Sequence, residues 1–146
     1  MGIFSQNTPP PQEKSLKVIE DTLLSLEVTT FIKEYSGDDL LSVYFNINDL
    51  NSGDVPVRLP LNIDKIKQTI SVDYRTITKK DKLDIHDTAE RIALLELSEY
   101  VKTIAIMVRL GQVTLLEAFL AFCYDKTKDS TFYERLESND IKFLKE

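Results

Sequence analysis

The chain has no tryptophan, one histidine, one cysteine and four glycines in 146 residues. With Cys123 as the single thiol no internal disulfide can form, and a lone cysteine amid apolar neighbours fits a reducing compartment. One histidine, His86, cannot build a multi-histidine zinc shell, and no second His/Cys cluster completes one. There is no P-loop and no G-x-G-x-x-G to cradle a nucleotide phosphate, and no G-x-S-x-G elbow to present a nucleophilic serine. The longest apolar run is seven residues, Ala118 to Tyr124, far below the ~20 that a membrane-spanning helix needs. Met1-Gly2-Ile3-Phe4 leads into no apolar stretch, so no signal peptide is expected.

What is present suits an ordinary globule: 42% hydrophobic and 29% charged residues. A chain of this length buries roughly 68–70% of its unfolded surface, so one domain needs no staple. The net charge is −6 and the pI about 4.9. Such a chain gains no general attraction to nucleic acid or anionic membrane, and neither is expected as a partner. The charge is uneven: residues 1–61 carry net −5, 62–82 net +3 and 83–146 net −4. The middle segment is a basic island in an acidic chain.

Residues 1–11, with three consecutive prolines, are expected to be flexible or extended. Leu16, Ile19, Leu23 and Leu26 make one apolar stripe of a helix from Gln12 to Leu26. Three strands follow. Val28–Tyr35 is β-branched and aromatic. Leu41, Val43, Phe45 and Ile47 alternate with Ser42, Tyr44, Asn46 and Asn48. In the third strand Val55, Val57, Leu59 and Leu61 share a face, while Pro56 and Pro60 place the strand at a sheet edge. Asn62 opens a short helix through Ile63, Ile66 and Ile70. Residues 71–83 read as a loop. A long helix begins near Asp84 or Asp87, carries Leu94, Leu97, Val101, Ile104 and Val108 in a stripe widened by Ala93, Leu95, Tyr100, Ala105 and Met107, and ends at Gly111. Thr114 with Glu117 and Thr131 with Glu134 are capping boxes. Between them Leu115–Tyr124, apolar all round, reads as a buried helix. The expected fold is α+β: a three-stranded antiparallel meander packed against an N-terminal helix and a helical C-terminal half with one long central helix, as a single domain over 12–146.

Val57-Arg58-Leu59-Pro60-Leu61, Arg91, Lys102, Gly111, Thr114, Glu117, Phe119-Leu120-Ala121 and Thr131, in this order, resemble a family of small proteins of tailed phages and prophages. The resemblance covers residues 12–136. It implies phage origin and residence in the host cytoplasm, and it carries no mechanism. The family's long helix usually holds a Trp-Arg pair. Here Leu94-Leu95 stands near that place, so no role of that pair transfers.

Few residues suggest chemistry. Asp84, His86 and Asp87 sit where a helix is expected to start, so they read as a cap rather than metal ligands. Cys123, among Phe119, Leu120 and Phe122, reads as an inert core thiol. Asp49, Asn51 and Asp54 miss the calcium-loop pattern, which would need a glycine at Asp54 and a glutamate at Pro60. Two surfaces remain as binding candidates. One is Tyr74, Arg75, Lys79 and Lys80 of the basic island, suited to a nucleotide-type anion or an acidic partner. The other is a sheet face where Phe31, Tyr35 and Tyr44 line up with Thr29, Ser42 and Asn46. No catalytic residue, cofactor or metal is expected. The leading expectation is a non-enzymatic phage accessory protein that binds a host or phage protein, with inhibition of a host defence as one form and an acidic surface suited to masking a basic site. A binder of a small nucleotide-type anion and an accessory factor in phage DNA replication or recombination are the alternatives. The wide apolar face of the long helix suggests a homodimer.

Overall fold

A computed structural model describes residues 10–51, 53–73 and 79–138, with the backbone alone for 71–73 and 79–84. The expected flexible N-terminal segment lies, apart from Pro10 and Pro11, outside the described residues. In chain order the elements are α1 (Gln12–Ser25), β1 (Thr29–Ser36), β2 (Asp39–Asp49), β3 (Gly53–Pro60), α2 (Ile63–Asp73), α3 (Lys79–Arg109) and α4 (Leu115–Ala118). A 3₁₀ turn (Leu120–Phe122), β4 (Tyr124–Asp125), β5 (Ser130–Thr131) and α5 (Phe132–Glu137) complete them. The fold is α+β, with the meander order β1-β2-β3 and a separate β4-β5 hairpin. None of the described helices is long and apolar enough to cross a membrane. Contacts divide the chain into two compact units, Met1–Thr22 with Leu61–Thr103 and Leu23–Pro60 with Ile104–Glu146.

In the first unit the Pro11 carbonyl accepts from the amides of Lys14 and Ser15, which starts α1. Further along, Ile63, Ile66 and Ile70 recur at helical spacing on α2. Ile70 packs with Ala89 and Ile92 of α3 in a buried cluster that Ile63, Ile66 and Ile85 border. Each isoleucine buried this way contributes roughly 1.5–3 kcal/mol.

Two expectations are corrected here. The segment 71–83 is not all loop, because α2 runs to Asp73 and α3 starts at Lys79. His86 and Asp87 therefore lie inside α3 and not at its start. They pair one turn on instead, His86 Nε2 to Glu90 Oε1 at 3.2 Å and Asp87 Oδ2 to Arg91 Nε at 2.9 Å. Spacing i,i+4 brings such side chains together without a cap.

In the second unit α1 ends with Glu27 left-handed at φ 67°, its amide bonded to the Leu24 carbonyl and the Val28 amide to the Leu23 carbonyl. This is the Schellman arrangement, and Gly111 at φ 75° closes α3 in the same way. The β2-β3 ladder is unbroken from Ser42–Pro60 to Asp49–Gly53. Val43 opposes Leu59 and Phe45 opposes Val57, all four buried, and Phe45 meets buried Phe119 edge-on at 5.2 Å. As expected, β3 is an edge strand. Among the described residues its far side holds one bridge, Val57 to Cys123.

β1 is less regular. Its register slips between Thr29 and Ile32 and again between Glu34 and Tyr35. The second slip leaves Leu41 exposed and buries Leu40 in its place. On α3, Leu94, Val101 and Ile104 are buried as the stripe predicts, but Tyr100 and Met107 are exposed and do not widen it.

Both capping boxes form, Thr114 with Glu117 and Thr131 with Glu134. The long buried helix expected over Leu115–Tyr124 does not. α4 stops at Ala118, a 3₁₀ turn follows, and Tyr124 enters a strand. Of the apolar run only Phe119 is buried, while Leu120 is exposed. Pairing of Cys123 with Val57 and of Tyr124 with Thr131 outcompetes helical bonds there.

Candidate functional site

Cross-strand neighbours in an antiparallel pair share a face. The ladder puts Tyr44 opposite Arg58 on one side and opposite Ile32 on the other, with Ser42 opposite Glu34. This row is the floor of the candidate site. The Glu34 carboxylate accepts from the Ser42 hydroxyl at 2.5 Å and from the Tyr44 hydroxyl at 3.4 Å. Its partner charge is Arg58, at 3.8 Å.

The β4-β5 hairpin supplies the wall. Tyr124 meets Tyr44 edge-on, ring centroids 5.4 Å apart at 81°. The Arg58 guanidinium lies 5.9 Å from the centroids of both rings. Such cation–π contacts are worth ~0.5–1 kcal/mol each at partly exposed sites. The hairpin turn is pinned by the Asp125 carboxylate, which accepts from the amides of Thr127 at 2.9 Å and Lys128 at 3.3 Å. Arg135 of α5 reaches the same Asp125 at 3.7 Å. The Tyr124 hydroxyl donates to the Asp129 carboxylate. That bond and the negative charge behind it, with some desolvation, push the Tyr124 pKa up to about 12.

A groove of about 550 Å³ lies over this floor. Its lining comes from Thr30, Ile32, Lys33 and Glu34 of β1, Tyr44, Phe45 and Asn46 of β2, Pro56 of β3, and Tyr124 and Lys126 of the hairpin. Ligand-binding clefts fall in this size range. Thr30 is left-handed at φ 59°. A β-branched residue rarely adopts that conformation, which costs of order 1–3 kcal/mol and concentrates at functional sites.

Of the residues expected to bind, Tyr44 sits in the groove. Phe31 and Tyr35 do not join it, since the slipped register sets Ile32 and Glu34 opposite Tyr44 and Ser42. Tyr74 and Arg75 lie outside the described residues, and Lys79 and Lys80, in the first turn of α3, are described by their backbone alone. Sequence reasoning missed Arg58, Tyr124, Lys33 and Lys126. Alternation with Pro56 and Pro60 signals that Arg58 faces away from the core, but the apolar pattern places Tyr124 at the end of a helix, and nothing in the polar turn after it marks Lys126.

Cys123 is half-buried, with its thiol pKa raised by desolvation, and its Sγ points at the Phe119 carbonyl. The Asp49 carboxylate accepts from the Asn51 amide at 3.1 Å, a turn contact. No protein-family model, no curated protein and no solved structure matches the chain.

Proposed function

We propose that the protein is a phage-encoded accessory protein of the host cytoplasm. In this reading it acts as a non-enzymatic module that binds a host or phage protein through the second unit, and blocking a host defence is one use of such binding. The observation that carries the reading is the groove itself. It combines exposed apolar surface (Ile32 is 52% exposed) with the aromatic rings of Tyr44 and Tyr124.

Two of its titratable groups, Glu34 and Tyr124, are committed to holding the site together. Glu34 is tied to Ser42 and Arg58, and Tyr124 keeps its proton far above neutral pH. A group used in acid–base catalysis titrates near working pH. Exposed Ile106, Met107 and Leu110 at the end of α3 support a second copy of the chain as a further partner.

The test is affinity capture from host lysate with wild type and Ile32→Glu, read by mass spectrometry. A partner recovered by wild type and lost by the variant supports the reading. Nothing above background with either protein overturns it.

A further inference from the structure

Among the described residues Glu90 is the one charged residue in the core, its side chain only 7% exposed. A carboxylate taken out of water needs partners for both oxygens. Glu90 Oε1 lies 3.2 Å from His86 Nε2, but Glu90 Oε2 is buried with no hydrogen-bond partner. The cation next along the helix does not serve it, since Arg91 pairs with Asp87. Ala93 and Leu94, one turn further on the same face, are buried and apolar. An orphaned buried oxygen of this kind is usually met by a water, an ion or a ligand.

His86 is placed to share an ion with it. The two residues stand i,i+4 on α3, so their side chains project from one face of the helix. Ligands one turn apart hold zinc on helices in this way. The imidazole is 35% exposed, which lets an ion reach Nε2 from solvent while the carboxylate is held from behind. Two ligand atoms each ~2.1 Å from a tetrahedral zinc lie about 3.4 Å apart. The 3.2 Å between Nε2 and Oε1 is close to that spacing. A hydrogen bond accounts for the distance equally well, but it leaves Oε2 without a partner. An ion taken by both carboxylate oxygens does not.

The donor set selects the kind of ion. An imidazole nitrogen with a carboxylate suits zinc and its transition-series neighbours, whereas magnesium and calcium take oxygen shells.

We propose that His86 and Glu90 bind a divalent transition cation, with zinc as the first choice and water in the remaining positions. The site draws on no residue of the groove and does not depend on the protein-binding reading. It also reverses the expectation for His86, which the sequence pattern assigned to a helix cap.

His86 is the only histidine in the chain, so its ring nitrogens give an unambiguous signal in heteronuclear NMR. Zinc added to the chelator-treated protein is expected to shift Nε2 saturably, at one ion per chain, and to raise the melting temperature. Magnesium should do neither. Glu90→Gln keeps the side chain's shape but removes its charge, and should lose about tenfold or more in zinc affinity. His86→Ala should lose the thermal shift, and Cys123→Ser should keep it, with circular dichroism confirming that each variant is folded. An Nε2 signal that zinc leaves unmoved overturns the site and shows a hydrogen-bonded pair only. Equal zinc affinity in Glu90→Gln overturns it in favour of an adventitious ion on a surface imidazole. If Glu90→Gln does not fold, His86→Ala decides: a zinc-induced thermal shift as large as that of wild type overturns the site, and its loss supports it.

Discussion

Gly111 and Glu27 hold the same station at the ends of α3 and α1, with φ 75° and 67°. A left-handed residue with a side chain costs roughly 1–2 kcal/mol relative to its right-handed state, and glycine escapes most of that. A Cβ at Gly111 would meet nothing within 4 Å, so the whole effect of Gly111→Ala is conformational. Urea unfolding should show a loss of about 1–2 kcal/mol for Gly111→Ala, and a gain of a few tenths to about 1 kcal/mol for Glu27→Gly. Unchanged midpoints in both would remove the strain argument. These two positions also show what was legible one residue at a time. Gly111 announced its turn because glycine is the usual choice there. Glu27 did not, because it adopts that conformation only under the pull of the Leu23 and Leu24 carbonyls and the strand that follows.

At the scale of elements, the β4-β5 hairpin is tied down by one side chain more than by its short ladder. Tyr124 bonds to Asp129 inside the turn and packs on Tyr44 outside it. Its pKa of about 12 lies above the ordinary value of 10, so the folded state holds its proton more tightly than the unfolded chain. The stabilisation is complete below pH 10 and is lost as the pH climbs from 10 towards 12. A tyrosinate absorbance titration should show Tyr124, identified by difference from Tyr124→Phe, ionising near pH 12. Asp129→Asn should bring it back towards 10. Ionisation of Tyr124 together with the bulk of the tyrosines near 10 would show that the Asp129 contact does not persist in solution. The hairpin is also where sequence periodicity misled. Leu115–Tyr124 carries an apolar pattern that a helix and a 3₁₀-to-strand path satisfy equally. The choice is made by Val57 and Thr131, partners far away or hidden behind a cap. The meander and both capping boxes were readable because their partners are near in sequence or fixed by alternation. The groove was not, since it depends on two register slips in β1 and on a hairpin whose Tyr124 periodicity assigned to a helix.

For the molecule as a whole, the exposed end of α3 bears on how many copies act together. Ile106 and Leu110, 57% and 68% exposed, are one turn apart, with Met107 beside them. The Arg109 guanidinium donates to the Ser25 hydroxyl at 2.5 Å and holds the end of α1 alongside, where Leu24 is also exposed. A twofold axis would let this patch cover itself. Four apolar side chains a copy fall short of the ~800 Å² per partner of a standard interface, so the pairing should be weak and reversible. Light scattering across the micromolar range is expected to rise from 16.8 kDa towards twice that mass. Leu110→Glu, which adds charge at an exposed site and leaves the core untouched, should hold the mass at the single-chain value throughout. A wild-type mass that stays at 16.8 kDa at the top of the range would exclude the self-covered patch. The groove, built wholly from β1, β2, β3 and the hairpin turn of one chain, does not draw on this patch. Leu110→Glu should therefore leave capture of a lysate partner unchanged even as it abolishes pairing, which separates assembly from recognition in a single variant.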